Sequence, residues 1–156
     1  MAVELRPATM EDLAGFDMRE PDRRAVAALG YPSEQHGLRW SFEHSDEVWV
    51  VCSNGGVVVV SGVVPMKVDE DGIESATLGA LWCAVTNDAG KLAKSICKSA
   101  LVLTKKWTAK YDALIAMVDA KDDAAQRWVK FLGFTFGNVK IKGEAGEFLT
   151  ALRGGR

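Results

Sequence analysis

The sequence has 156 residues, of which 48% are hydrophobic and 26% are charged, and its formal net charge is −2. This length suffices for one domain with a buried core, and the balanced charge disfavours a broad binding surface for nucleic acid. No apolar stretch reaches the roughly 20 residues that span a bilayer, and no signal peptide is expected after Met1, so we predict a cytoplasmic protein without membrane contact. Its three cysteines and two histidines are widely spaced, which predicts reduced, buried thiols and no metal site.

The first 45 residues read as one strand followed by helical segments. Apolar and charged residues alternate over residues 3–7, as in a half-buried strand. The first predicted helix begins after the cap Thr9, with Asp12 at the third helical position. The second begins at Pro21 and ends at Gly30, and the third begins after the cap Ser33 and ends near His44. Trp40 falls off the face that Leu38 and Phe42 share, so we expect it to be exposed. With His36, Arg39 and Glu43 it is our candidate surface for a protein partner.

Strands dominate the middle of the chain. We predict strands over residues 48–52, 57–64 and 76–85, joined by hairpins at Asn54-Gly55 and Asp71-Gly72. Valines occupy both parities of residues 57–64, which indicates a central strand that is covered on both faces.

The remaining chain alternates helices and strands. A helix is predicted over residues 88–110, a buried strand over 113–118, a helix from Asp122 or Asp123 to Gly133, and strands over 135–142 and 147–152. The order is β-α-α-β-β-β-α-β-α-β-β, a mixed α/β sheet in one domain over residues 1–153, with a short flexible tail at 154–156. The β-α-β unit should cross over right-handed and leave a cleft at the carboxyl ends of its parallel strands.

Two patches carry a resemblance to a known superfamily. Residues 5–12 (LRPATMED) and 119–134 (DAKDDAAQRWVKFLGF) resemble the opening and the second motif of Gcn5-related N-acetyltransferase (GNAT) domains. Residues 19–30 and 119–137 further resemble a tailed-phage branch that includes internal virion protein A. The resemblance implies the GNAT fold, acetyl-CoA as acetyl donor and a primary amine as acceptor. In the phage branch it also allows a non-catalytic protein of virion assembly or host takeover, found in the host cytoplasm or associated with the virion.

The resemblance assigns cofactor-binding positions to the segment before the long helix. GNAT enzymes hold the pyrophosphate there on glycine-rich backbone, helped by the helix N-terminus. Here Asn87, Gly90 and Lys91 would contribute, whereas Ala89, Leu92 and Lys94 replace the motif's arginine and later glycines, and Asp88 opposes an anion. The alternative is a plain capped turn.

Backbone amides of the preceding strand, at Trp82, Cys83, Ala84 and Val85, would polarise the thioester carbonyl if that strand splays from its neighbour. Asp122 stands where the family orients the cofactor arm, and it is equally suited to cap a helix. Val129 stands where many GNAT enzymes place a tyrosine that protonates the departing thiolate, which leaves Tyr111 as a substitute.

Carboxylates supply the remaining candidates. Glu74 lies where GNAT enzymes often place a base, although it also fits a solvated acidic hairpin. Glu20 and Asp22 would attract the amine of the substrate, or else pair with Arg19, Arg23 and Arg24. The sequence therefore predicts either an acetyl-CoA-dependent N-acetyltransferase or a non-catalytic relative that acts through protein contacts. It predicts no oligomeric state.

Overall fold

A seven-stranded sheet organises the computed structural model, which describes residues 3–67, 76–142 and 146–155. In chain order the strands are β1 (Glu4–Pro7), β2 (Glu47–Ser53), β3 (Gly56–Lys67), β4 (Thr77–Val85), β5 (Ala113–Asp119), β6 (Thr135–Lys142) and β7 (Glu147–Gly154). The helices are α1 (Glu20–Ala28), α2 (Glu34–His44), α3 (Ala93–Thr108) and α4 (Asp123–Phe131), with 3-10 helices at Met10–Leu13 and Asn87–Leu92.

The strands lie in the order β1-β2-β3-β4-β5-β7-β6. Neighbours are antiparallel except β4 and β5, which are parallel because α3 crosses over between them. The predicted mixed α/β fold and its element order are confirmed.

Side-chain caps fix where the predicted helices begin. The amide and hydroxyl of Thr9 donate to the Asp12 carboxylate at 2.7 and 3.2 Å. The Ser33 hydroxyl accepts from the amide of His36, and the Asp122 carboxylate accepts from the amide of Ala125. These contacts satisfy amides that have no partner within the helix. The predicted caps Ser33 and Asp122 are confirmed, whereas Thr9 stands at the predicted cap position and its hydroxyl donates to Asp12.

The hairpin between β2 and β3 also follows the prediction. Asn54 and Gly55 have φ values of 52° and 78°, the left-handed pair that a two-residue turn between twisted strands requires. The second predicted hairpin, at Asp71-Gly72, lies outside the described residues.

The predicted long helix begins later than expected and ends near the predicted residue. The α-helix begins at Ala93 and ends at Thr108, and a 3-10 helix at Asn87–Leu92 precedes it. Asn, Asp and Gly at the start are weak α-helix formers, and the amide of Ala89 bonds the carbonyl of Thr86 three residues back. This tighter coil takes the place of the predicted first helical turn.

Two apolar layers cover the sheet. The first 3-10 helix, α1 and α2 lie against one face, with Leu13, Leu38, Val50 and Val60 at its centre. Residues of α3 and α4 cover the other face, where they pack on β5 and β7. Strand β7 extends to Gly154, so the sheet includes one residue that we expected in the tail, and the amide of the next residue, Gly155, donates to the carbonyl of Asp112 at 2.8 Å.

Candidate functional site

The parallel strands β4 and β5 separate before they end. Their pairing runs from Leu78 and Ala113 to Leu81 and Ala116, yet β4 continues to Val85 and β5 to Asp119. The amide and carbonyl of Val85 point away from β3, and the alternation of a strand directs those of Cys83 to the same side. The edge of β4 thus faces the opening that forms where β5 diverges.

A cavity of about 540 Å³ runs from this opening to the space between α3 and the sheet. That volume lies within the range of small-molecule sites, roughly 300–1,000 Å³. Its walls come from β2 to β5, α3 and α4, and most are apolar: they include Trp49, Val51, Val59, Leu81, Ile96, Ala100, Leu103, Trp107, Ala116, Trp128, Val129 and Phe134.

The floor of the cavity is one row of residues across three strands. Trp49 on β2 lies opposite Ser61 on β3, and Ser61 lies opposite Cys83 on β4. Directly opposed residues share a face, so the row connects the strand opening at Cys83 with the far wall at Trp49. Ser61 is small, and Ala100 of α3 lines the same space. These two short side chains leave the volume between helix and sheet.

The closed end is held by Glu47. One of its carboxylate oxygens accepts from the indole nitrogens of Trp49 at 2.9 Å and Trp107 at 2.7 Å. Lys106 lies 3.3 Å from the same oxygen and 4.6 Å from the centre of the Trp49 ring. Burial opposes ionisation of Glu47, but the bonds from both indoles and from Lys106 hold its pKa below the ordinary value. A charged carboxylate therefore orients both tryptophans.

An ion pair spans the open end. Arg19 contacts Asp22 of α1 at 3.1 Å and Asp122, which precedes α4, at 2.9 Å. Asp22 also accepts from the amide of Val85 at 2.9 Å, and the carbonyl of Val85 accepts from the amide of Arg19. Burial raises the pKa of Asp22, while the charge of Arg19 opposes the rise. Part of the β4 edge is thus bonded to the chain's own residues.

Cys83 differs from its prediction as a buried thiol. Cys52 is buried and Cys97 half-buried, but Cys83 is exposed, because its side chain faces the cavity and not a closed core. The concave walls surround it even so. Desolvation by those walls, and then the charge of Asp22, raise the pKa of the Cys83 thiol to about 12. It therefore stays protonated and is a weak nucleophile at neutral pH.

The predicted phosphate segment divides between the cavity and solvent. Asn87 and Gly90 line the cavity, whereas Lys91 is exposed outside its walls and Asp88 is exposed as well. A side chain at Gly90 would meet no atom within 4 Å. The segment is a 3-10 helix without glycines in the left-handed region, so it is closer to the predicted capped turn than to an open cradle.

Several other candidate residues lie away from the cavity. Ala84 is buried on the opposite sheet face. Glu20 is exposed and lines a separate shallow hollow with Arg23 and Arg24. Glu74 lies outside the described residues. Trp82, Val85, Asp22 and Asp122 line the cavity.

Tyr111, the candidate acid, does not line the cavity. The residue is 2% exposed, and its hydroxyl donates to Asp46 at 2.5 Å. Burial and this carboxylate raise its pKa above the ordinary tyrosine value, which makes proton release harder. Tyr111 precedes β5, at the end of the strand opposite to the opening. Val129, as the sequence indicated, presents an apolar side chain to the cavity.

The sequence interpretation did not find the cavity beneath α3. Trp49, Ser61 and Trp107 are its main determinants. A signal was present, because a serine among the valines of a central strand leaves space on one face. The bond from Arg19 to Asp122 joins residues 103 positions apart, and no local pattern predicts it.

Among the described residues, no helix combines the length and apolarity of a membrane span. The same residues contain no group of three or more His, Cys, Asp or Glu side chains arranged to hold a metal ion.

Comparison with solved structures identifies the fold. An N-acetyltransferase from Staphylococcus aureus matches with a TM-score of 0.66 at 15% identity, over 99% of both chains. A ribosomal-protein-alanine N-acetyltransferase from Brucella melitensis matches with a TM-score of 0.57 at 19% identity, over 97% of this chain and 99% of that one. A proposed acetyltransferase from Salmonella typhimurium, yncA, solved with its cofactor acetyl-CoA, matches at 0.59 and 18%, over 99% and 94%.

No protein-family model matches the sequence, and no curated protein sequence matches it significantly. The fold of the chain is that of GNAT N-acetyltransferases, at identities that establish fold alone.

Proposed function

We propose that the chain binds a CoA thioester in the cavity and transfers its acyl group to a primary amine. The observation that carries the proposal is the separation of β4 from β5 beyond Leu81 and Ala116, which leaves the amide of Cys83 facing a solvent-connected cavity. A fixed amide of this kind stabilises the negative charge that develops on a carbonyl oxygen during acyl transfer.

The apolar walls of the cavity suit the apolar part of such a ligand. The segment at Asn87–Leu92, where the pyrophosphate of the ligand would lie, suits the ligand less well. Asn87, Gly90 and Asp122 would hold the donor near the opening, and the donor supplies an activated acyl group. The amine of the acceptor is the nucleophile: its lone pair forms the new C–N bond, the C–S bond breaks, and the thiolate leaves. No nucleophile on the enzyme is required.

Asp22 is our candidate for the acceptor side. Its carboxylate lines the cavity at the open end, where its charge can attract an ammonium group. Burial raises the pKa of Asp22, which favours transfer of a proton from the ammonium to the carboxylate. The thiol of Cys83, with a pKa near 12, is a poor proton donor for a thiolate whose ordinary pKa is roughly 8.5. The departing thiolate therefore takes its proton from solvent or from the reacting amine.

Calorimetry with CoA and acetyl-CoA, paired with mass spectrometry of an amine panel, tests this function. We expect binding and an acetylated product. Cys83→Phe should fill the opening and weaken binding at least tenfold, whereas Cys97→Phe, a matched change on α3 outside the cavity walls, should leave it unchanged. Absence of binding to the unchanged protein at millimolar ligand would contradict the proposal.

A second candidate is a non-catalytic GNAT-fold protein. It is favoured by one observation: Asp22 already bonds the amide of Val85, and Arg19 ties Asp22 to Asp122 across the opening. The resemblance to the tailed-phage branch suggests that such a protein acts in virion assembly or host takeover through protein contacts.

Trp40 is the candidate contact residue for this alternative. It is 41% exposed and stacks on His44 at 4.0 Å. Detection of an acetylated amine that depends on the protein and disappears in Cys83→Phe would exclude the alternative.

A further inference from the structure

We propose that the cavity accepts a linear acyl chain of roughly six to eight carbons, and that acetyl-CoA is a poor donor by comparison. This inference rests on the proposed function, because it assumes that the thioester lies at the strand opening. It concerns the part of the cavity beyond that opening, beneath α3, which an acetyl group would leave empty.

The length of the cavity floor sets the length of the chain. Cys83, Ser61 and Trp49 lie on three neighbouring strands in direct register, so the row spans two interstrand spacings, or roughly 10 Å. A fully extended chain advances roughly 1.2 Å per bond, since three backbone bonds cover 3.3–3.6 Å. About eight bonds therefore separate a carbonyl at Cys83 from the far wall at Trp49.

The volume agrees with this length. An apolar protein cavity of about 150 Å³ holds one six-carbon benzene molecule. The present cavity measures about 540 Å³, enough for a six- to eight-carbon chain together with the thioester and part of the arm that carries it. An acetyl group alone would occupy a small fraction of the space.

The walls present hydrocarbon and few free polar groups. The hydroxyl of Ser61 donates to the carbonyl of Trp82 at 2.8 Å, and that of Thr104 donates to the carbonyl of Ala100 at 2.7 Å. The indole nitrogens of Trp49 and Trp107 are bonded to Glu47. Because these groups have partners within the protein, a bound alkyl chain displaces water without breaking their hydrogen bonds.

The far wall is fixed, so the affinity of the cavity should depend on the length of the bound chain. Glu47 holds Trp49 and Trp107 in one orientation through two bonds to a single oxygen. Affinity should rise roughly three- to fourfold with each methylene that reaches the cavity, because burying one methylene is worth about 0.8 kcal/mol. The rise should stop when the chain reaches the indoles.

The experiment is titration of the protein with CoA and with its acetyl, butanoyl, hexanoyl, octanoyl and dodecanoyl thioesters. Calorimetry and tryptophan fluorescence report binding, since Trp49, Trp107 and Trp128 line the cavity. We expect the dissociation constant to fall at least thirtyfold from acetyl to the optimum at six or eight carbons, and to rise again at twelve. Rates of transfer to an amine should follow the same order.

Variants of α3 test the location. Ala100→Phe should fill the cavity and abolish the gain with chain length; Ala100→Leu serves the same purpose with less added volume. Leu101→Phe is the matched control, because Leu101 is 43% exposed and does not line the cavity. It should keep the profile of the unchanged protein.

The outcomes separate the two proposals. Equal affinity for all chain lengths, or tightest binding of acetyl-CoA, would overturn the chain-length inference and leave the proposed function standing. A gain with chain length that persists in both Ala100 variants would overturn it as well, because the chain would then bind elsewhere. Failure of every thioester and of CoA to bind would overturn both.

Discussion

One residue, Arg19, links the two elements that border the open end of the cavity. Arg19 is the only described cation that contacts both Asp22 on α1 and Asp122 before α4. The two carboxylates face each other across the ends of separate elements, so they would repel without it. The sequence suggested local pairing of Asp22 with Arg19, which is confirmed, but the contact with Asp122 depends on the tertiary fold.

Arg19→Gln should lower the free energy of unfolding by about 1–3 kcal/mol, because it leaves two mostly buried carboxylates without their shared cation. Urea denaturation at neutral pH measures the change. Arg24→Gln is the control, since Arg24 is exposed and should change stability little. Equal stability of both variants would argue against a structural role of the bridge.

The charge of Asp88 affects the segment where the pyrophosphate of CoA would bind. Asp88→Asn removes an exposed negative charge beside the cavity opening, and a helix start favours anions once that charge is gone. We expect two- to fivefold tighter binding of CoA at low salt, with the difference shrinking as salt is added. Glu11→Gln, an equal charge change on the first 3-10 helix, should have no effect. Calorimetry at two salt concentrations distinguishes the cases.

Elements were predictable where local chemistry fixes their ends. Ser33 and Asp122 cap the helices they were expected to cap, Thr9 stands at the expected cap position, and Asn54-Gly55 forms the expected turn. The start of the long helix was mispredicted because helical periodicity from residue 92 onward was extended back into Asn87–Leu92. Apolar spacing alone does not distinguish a 3-10 from an α-helical turn.

The junction of β1 with the first 3-10 helix should respond to acid. Two hydrogen bonds from Arg6, at 2.7 and 2.8 Å, lower the pKa of Asp12 from 3.8 to about 2. The folded state thus binds this proton less readily than the unfolded state. The resulting stability is fully present above about pH 4 and is lost as the pH falls towards 2.

Asp12→Asn should therefore cost on the order of 1–2 kcal/mol at pH 7 and flatten the loss of stability between pH 4 and 2. Urea denaturation across that range measures both effects. If the variant and the unchanged protein lose stability in parallel over this interval, Asp12 is not responsible for the acid sensitivity.

At the scale of the whole molecule, the topology was predictable and the cavity was not. The order of elements and the parallel crossover through α3 imply an opening between β4 and β5, which the structure contains. The volume beneath α3 depends on which side chains meet: Ser61 and Ala100 are short where a closed core would have large residues. Such matching between a helix and three strands is a tertiary property.

Filling this space should stabilise the fold while it removes binding volume. Ala100→Leu adds apolar surface that contacts the walls, which we expect to raise the free energy of unfolding by about 1 kcal/mol and the melting temperature by roughly 2–4 °C. Thermal denaturation with circular dichroism measures the change. A lower melting temperature would mean that α3 already contacts the sheet too closely to accept the larger residue.

The apolar space in front of Glu47 affects which acyl groups the proposed site would accept. Glu47 stays ionised through its bonds to Trp49, Trp107 and Lys106, and its carboxylate lies directly behind the indoles that close the cavity. A dicarboxylic acyl group, such as succinyl, would carry a second carboxylate into this apolar space, and desolvation would oppose its binding. In the proposed function, the apolar walls that would hold a linear chain would thereby also favour monocarboxylic acyl groups.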